Sequence, residues 1–327
     1  MPPCTAGSRA CASPCRPIRC PGGRRCPSGA RAACRSPGSP RTAAAEIGRL
    51  PRALAVRAAG VNPRDAKFRQ GRYAQGQPLA GPTGLGMELA GVIDAISPDV
   101  RGWEIGQPVF GRSATRDAVA THALAPADDI VAKPDWLSYA EAAALPIASE
   151  TAYRGLRQLG VKPGGTLLVH AAAGAVGLVA TQLATANGVT VIGTVSAANR
   201  DSYRELGAVA VLYTGDGLAD RIRAVAPDGI DWVLDAFGHD VLPMSIQLAG
   251  SPDRVITMVD PTAAEHGVHL SIESIPIPEV MSEVLPLVEV RRVVLPVEAA
   301  YPLHESAAAY RRVVTGHRRG KIIITVD

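Results

Sequence analysis

The stretch Leu168–Ala184, LVHAAAGAVGLVATQLA, decides the architecture. It follows directly on Thr166 and Leu167, and TLLVH is apolar without polar alternation, as a strand covered on both faces must be. From Gly174 onward Ala175, Val176, Val179, Ala180, Leu183 and Ala184 recur at helical spacing, and Gly188 supplies the stop. Between strand and helix lies a turn of small residues. In a G-x-G-x-x-G loop at such a place the first glycine permits a tight turn, the second lets backbone approach a pyrophosphate, and the third lets helix pack closely on strand. Here the three places hold Ala172, Gly174 and Gly177. Alanine at positive φ costs about 1–2 kcal/mol, so Ala172 is expected at negative φ in a slightly different turn. Ala173, Gly174, Ala175, Val176 and Gly177 then read as a dinucleotide-binding loop at a helix N-terminus. The alternative is an ordinary strand–helix turn in an alanine-rich chain.

Working outward, the pattern supports the loop. VTVIGT is the next strand, Asn199–Leu206 a helix ended by Gly207, and VAVLY, DWVLDA and RVITMV are further strands separated by helical segments such as LADRIRAVA. Apolar strands joined by helices predict a doubly wound parallel α/β sheet, a Rossmann unit. NAD-binding units usually carry Asp or Glu at the end of the second strand, where it binds the ribose 2′-hydroxyl. This strand ends Gly193-Thr194-Val195-Ser196 and is followed by Asn199 and Arg200, all without a carboxylate. Ser196, Asn199 and Arg200 are neutral or cationic, which suits the 2′-phosphate of NADPH with Arg200 as its partner, and Thr194 is counted with them as cofactor-binding; the alternative is a surface arginine at a helix start.

Before the Rossmann pattern, residues 53–125 read as short strands broken by glycine and proline: ALAVRAAGVNP, GMELAGVIDAI, QPVFG and AVATHALAP. Ser138 and Glu141 have capping-box spacing and open a helix that Pro146 is expected to stop. The final KIIITV is another strand, and the chain end is expected to return to the first, β-rich part.

The net charge of +4 belongs to the first 45 residues, which hold eight Arg and no acidic residue or Lys. The remaining 26 basic and 30 acidic residues give −4, which offers nothing to a nucleic acid. No apolar run approaches the ~18 residues of a membrane span. All six cysteines, Cys4, Cys11, Cys15, Cys20, Cys26 and Cys34, also lie in this segment. A cysteine-free body fits a reducing, cytoplasmic setting. The segment shows no apolar periodicity and is expected to be disordered. It has no secretory apolar region and no C-x-x-C pair, and its prolines oppose an amphipathic transit helix. Its Arg, Pro, Ala, Gly, Ser and Cys are also what GC-rich DNA encodes out of frame, so an altered start is a further reading.

The motifs fall in a recognisable order. AAGVNPRDAKFRQG (58–71), GMELAGVI (86–93), GQPVFG (106–111), AAALPIASETAYRGL (142–156), VKPGGTLLVHAAAGAVG (161–177) and GHRRGKIIITV (316–326) resemble successive blocks of the medium-chain dehydrogenase/reductase superfamily, in its zinc-free quinone oxidoreductase branch. The resemblance covers about Ala53 to Asp327. It implies a GroES-like catalytic domain over 46–145, its first strands missing or replaced, a Rossmann domain over 146–275 and a return over 276–327, with 1–45 as an aberrant tail. It also implies dimers. Where zinc-dependent members show G-H-E, this chain has Gly86-Met87-Glu88, and methionine is a poor zinc ligand. His266 and His269 lack a third ligand nearby, so no metal is expected. Ala175 stands where the branch usually has glycine.

The implied chemistry is hydride transfer from NADPH to a quinone or an α,β-unsaturated carbonyl, with hydrogen-bond donors stabilising the oxyanion in place of a metal. Asn62 resembles the family's asparagine facing cofactor and substrate. Lys67 is a candidate oxyanion donor or a solvated surface lysine, and Tyr73 a proton donor or a packed turn residue. By resemblance Thr151 and Gly238 lie near the nicotinamide and Tyr213 near the adenosine. Lys321 is either structural or faces the cleft. Two rival readings stand beside the enzyme: a non-catalytic NADPH-binding protein, and a defective product with a replaced N-terminus.

Overall fold

The computed structural model describes residues 53–71, 83–316 and 318–327. Tyr73 and the cysteine-bearing segment lie outside the described residues. β1 (Ala53–Val61) leads into a short helix, α1 (Pro63–Arg69), and then come β2 (Glu88–Ala95), β3 (Pro108–Arg112), β4 (His122–Ala123) and β5 (Ile130–Ala132). β1 to β4 fall within the segments that the sequence marks as strands, whereas β5 lies beyond them and α1 has no apolar stripe to announce it. Its signals are local: Asn62 is extended at the N-cap (φ −118°), Pro63 opens the helix, and Lys67 and Arg69 close its last turn.

Helix α2 (Tyr139–Leu159) begins at Ser138, as its capping box requires: Glu141 N–H donates to Ser138 Oγ at 3.2 Å and Ser138 N–H to Glu141 Oε2 at 3.0 Å. The expectation that Pro146 stops this helix is wrong. The helix continues through it, 21 residues in all, to its C-cap Gly160 at φ +63°. Proline removes its own N–H and its ring crowds the carbonyl four residues back; the next N–H, of Ile147, is met by the Glu88 carboxylate at 2.7 Å. The apolar flank of α2, including Ala142, Ala143, Ala148 and Ala152, is buried, and that packing outweighs the local preference.

From β6 (Thr166–His170) the chain alternates: α3 (Ala175–Ala186), β7 (Thr190–Val195), α4 (Arg200–Arg204), β8 (Val209–Leu212), α5 (Leu218–Val225), β9 (Trp232–Asp235), α6 (Leu242–Ala249), β10 (Val255–Thr257) and β11 (His269–Leu270). These strands form a parallel sheet in the order β11-β10-β9-β6-β7-β8. That is the doubly wound arrangement, with its reversal of strand order between β6 and β9. Both faces are covered. Leu167 and Val169 join a core with α2 and α3, whereas Leu168 points into a second core with Ile222 of α5 and Leu242 of α6. The two-residue period of the strand makes this division.

After α7 (Ile277–Glu289), strand β12 (Val297–Pro302), helix α8 (Ser306–Val314) and strand β13 (Lys321–Thr325) return to the first sheet. Its order is β12-β13-β1-β2-β3-β5, with β4 paired to β1. β13 lies antiparallel to β1, pairing Val61 with Ile322 and Ala58 with Thr325. The chain end thus returns to the β-rich part, as its sequence suggests.

Candidate active site

Ala172 avoids positive φ, as expected, and the turn after β6 is made one residue earlier, where Ala171 takes φ 54°. Gly174 caps α3 without a side-chain bond, so no side chain covers the first-turn N–H groups. An added Cβ at Gly177 would stand 2.6 Å from Ala171 O and 2.6 Å from Ala172 Cα, so only glycine lets α3 sit this close to the loop. At Gly174 an added Cβ would lie 3.2 Å from Ala171 O.

A buried polar layer supports the turn. His170, at the end of β6, places Nδ1 3.3 Å from Thr194 Oγ1 and Nε2 3.1 Å from Ser245 Oγ. Ser245 donates to Val241 O at 2.7 Å, so it accepts from His170 Nε2–H. Thr194 Oγ1 accepts the Ala171 N–H at 3.3 Å and donates to His170 Nδ1. Both assignments require a neutral imidazole. Burial pushes its pKa down to about 4, against the opposing pull of the Asp235 carboxylate. Asp235 in turn accepts from Phe237 N–H at 2.8 Å, Gly238 N–H at 2.9 Å and Thr257 Oγ1 at 2.7 Å, which shapes the turn after β9.

At the tip of β7, Ser196 is buried and its Oγ has no hydrogen-bond partner. An orphaned hydroxyl there and glycines without Cβ at the loop are what a dinucleotide's ribose and pyrophosphate would fill, so the residues fit such a cofactor. Arg200 is exposed and pairs with the adjacent Asp201 at 3.0 Å. Tyr213, after β8, is half-buried and stacks on Phe237, ring centroids 6.5 Å apart at 27°. Ala173 is buried, while Ala175 and Val176 are half-exposed on the first turn of α3. Thr151 lies within α2 and donates to Glu150 Oε2 at 3.3 Å.

A second cluster forms at the end of β1, and the register assembles it. Gly60 pairs with Glu88 across β1 and β2, and Val61 with Ile322 across β1 and β13, which brings Asn62 and Lys321 together one step further on. Lys321 is 2 % exposed and Glu88 0 %. The Lys321 ammonium forms an ion pair with Glu88 Oε1 and donates to Asn62 Oδ1 at 2.7 Å. Asn62 Nδ2 donates to Glu88 Oε1 at 2.8 Å. A Cβ at position 60 would lie 2.5 Å from that same oxygen and 2.7 Å from Ala143 O, so Gly60 makes room for the carboxylate under α2. Asp65, also buried, accepts the Asn62 N–H at 3.2 Å. Burial, reinforced by the Glu88 charge, pushes its pKa up to about 6. Lys67 lies half-buried on the last turn of α1.

The two clusters touch through the chain end. Gly320 forms a parallel bridge with Gly174, and its N–H donates to Ala173 O at 3.2 Å. Lys321, the next residue, belongs to the knot with Glu88. Sequence reasoning leaves Lys321 undecided and misses Glu88, Asp65 and His170 as site residues. The signal that could have found Glu88 and Lys321 is a charge heading an apolar run, in ELAGVI and again in KIIIT. Among the described residues no group of three or more His, Cys, Asp or Glu side chains could hold a metal ion.

A GroES-like sheet joined to a six-stranded Rossmann sheet is the scaffold of two-part nucleotide-dependent dehydrogenases. The chain belongs to the medium-chain dehydrogenase/reductase superfamily, in its quinone oxidoreductase-like branch. Residues 52–135 match the alcohol dehydrogenase GroES-like domain and residues 175–258 the zinc-binding dehydrogenase family. The chain is 34% identical over 296 residues, 84% of its length, to the spectinabilin polyketide synthase system protein NorB of Streptomyces orinoci, and spans 13% of that protein. It is 30% identical over 286 residues to the 2-methylene-furan-3-one reductase of Solanum lycopersicum, covering 83% of this chain and 70% of that one. The quinone oxidoreductase of Coxiella burnetii superposes with a TM-score of 0.78 at 29% identity, covering 86% of this chain and 91% of that one.

Proposed function

We propose that the protein is a zinc-independent, NADPH-dependent oxidoreductase that reduces a quinone or an α,β-unsaturated carbonyl. The observation that carries this reading is the junction of the two clusters: a loop shaped for a dinucleotide is joined, through Gly320, to a polar knot around Asn62. Gly174 and Gly177 would hold the pyrophosphate, Ser196 and Arg200 the 2′-phosphate, Tyr213 the adenosine side, and Thr151 and Gly238 the nicotinamide side. NADPH bound there supplies a hydride. The absence of a carboxylate at the tip of β7 and the orphaned Ser196 Oγ favour the phosphorylated cofactor.

Asn62 presents a buried amide whose second N–H would serve a ligand. Lys67, and Tyr73 beyond the described residues, are the proposed donors to oxygen as charge builds on it. Zinc independence rests on the donor set, since Glu88 is engaged by Lys321, Asn62 and Ile147 and is preceded by Met87. The substrate class follows the quinone oxidoreductase and the 2-methylene-furan-3-one reductase among the relatives. Among the described residues no helix is long and apolar enough to cross a membrane. The cysteine-free body suits a cytoplasmic setting, and sedimentation would test the dimer that the resemblance implies.

The test is NADPH consumption by purified protein, dialysed against a chelator, with a panel of small quinones and enones. Turnover unaffected by the chelator supports the reading. Chelator-sensitive alcohol oxidation contradicts it, and tight NADPH binding without any turnover would make the protein a binding module.

A further inference from the structure

The knot around Lys321 contains more than burial requires. An asparagine amide has two nearly isosteric ends, and nothing in its own shape decides which way it faces. Here two opposite charges decide. Lys321 donates to Asn62 Oδ1 at 2.7 Å, and Glu88 accepts from Asn62 Nδ2 at 2.8 Å. A flipped amide would set NH2 against an ammonium and a carbonyl oxygen against a carboxylate. The orientation is therefore locked, with the second amide N–H left in a fixed direction. The second carboxylate oxygen of Glu88 is held by the Ile147 N–H at 2.7 Å, so the pair cannot turn as a unit. The same ammonium belongs to a residue whose backbone is fastened on both sides. Lys321 N–H donates to Pro296 O at 2.9 Å, and Gly320, immediately before it, is bonded to Ala173 of the dinucleotide loop.

We propose that Lys321 is a positioning residue: with Glu88 as counter-charge it fixes the Asn62 amide and sets it in register with the dinucleotide loop through Gly320. The inference rests on the reading of the cleft as an NADPH-dependent reductase and adds how its asparagine is aimed. Lys321 is sealed beneath Asn62 and acts through it.

The test compares the wild type with the double variant Glu88→Gln/Lys321→Met. The double variant removes both charges, so no unpaired ion is left buried. It also gives Asn62 a neutral neighbour that can pair with either end of its amide. Thermal unfolding checks that it folds. NADPH titration should give a Kd within about threefold of wild type, because the loop keeps its backbone groups. The fluorescence enhancement of the bound nicotinamide should fall, and kcat should drop roughly tenfold to a hundredfold with the substrate KM little changed, the mark of lost alignment. A merely structural role would lower the unfolding temperature and leave fluorescence and kcat intact in the folded variant; that result overturns the proposal. Lys321→Met alone serves as a second variant, and restoration of its folding by Glu88→Gln confirms that the charges are coupled. A wild type that binds NADPH without turnover would sink the proposed activity but leave the fluorescence comparison to judge Lys321. A wild type that does not bind NADPH overturns both.

Discussion

On the proposed reading, the turn after β6 and the knot at the end of β1 solve the same problem, how to present polar groups to a ligand from inside a core, by opposite means. The turn uses backbone. Its working groups are N–H donors at the start of α3, and its side chains are reduced to alanine and glycine so that backbone can come close. The knot uses side chains: a lysine, a glutamate and an asparagine, all buried and each paired. A backbone site tolerates little added volume but carries no net charge. A charged site has room shaped around it, as at Gly60, but fails if one partner is lost. The two regions should therefore break under different substitutions and different pH.

The largest effect is expected in the knot. Lys321→Met alone leaves the Glu88 carboxylate buried without its cation and should destabilise the fold by about 3–5 kcal/mol at neutral pH, measured by urea unfolding. If the loss were below about 1 kcal/mol, the pair would be solvated and the contrast with the loop would disappear.

The layer beneath the loop gives the next effect, and its sign follows from titration. His170 is neutral in the fold, its pKa lowered from 6.5 to about 4. Between those values the unfolded chain binds more protons, so this contribution is complete above about pH 6.5 and is lost as pH falls toward 4. It amounts to as much as about 3 kcal/mol. His170→Gln keeps a donor for Ser245 and an acceptor for Thr194 but cannot titrate. Its loss of stability between pH 7.5 and pH 5, tested by parallel unfolding curves, should be smaller than that of the wild type by about 2 kcal/mol; equal losses would mean that His170 is not held neutral.

In the loop itself two small changes should act in opposite directions. Gly177→Ala places a methyl group 2.6 Å from backbone atoms, and should cost about 1–3 kcal/mol and weaken NADPH binding together. Ala171→Gly relieves a non-glycine φ of 54°, and should raise stability by up to about 1 kcal/mol with little change in binding. Calorimetry with and without the nucleotide separates the two outcomes.

The same contrast explains what could be read without coordinates. The parallel sheet, its helices and the loop are written in consecutive residues: an apolar strand, a small-residue turn and a helical stripe within Thr166–Ala186. The knot is not. Asn62 and Glu88 are 26 residues apart, and Asn62 and Lys321 are 259 apart. Only the antiparallel register of β1 with β2 and β13 brings them together, and register depends on tertiary packing. Pro146 fails as a helix stop for the same reason, because the Glu88 carboxylate of β2, distant in sequence, meets the N–H that follows it. Ala171 shows the limit of motif reading within the loop: alignment to three glycine positions draws attention to Ala172, while the strained backbone sits one residue earlier.

The most direct test of the central claim, that a dinucleotide loop and a metal-free polar knot form one reductase site, is the rate of NADPH oxidation by chelator-treated protein with a small quinone or enone. We predict saturable turnover that prefers NADPH to NADH and is unchanged by added zinc. Turnover that appears only with zinc, or that requires an alcohol and an oxidised cofactor, would contradict it.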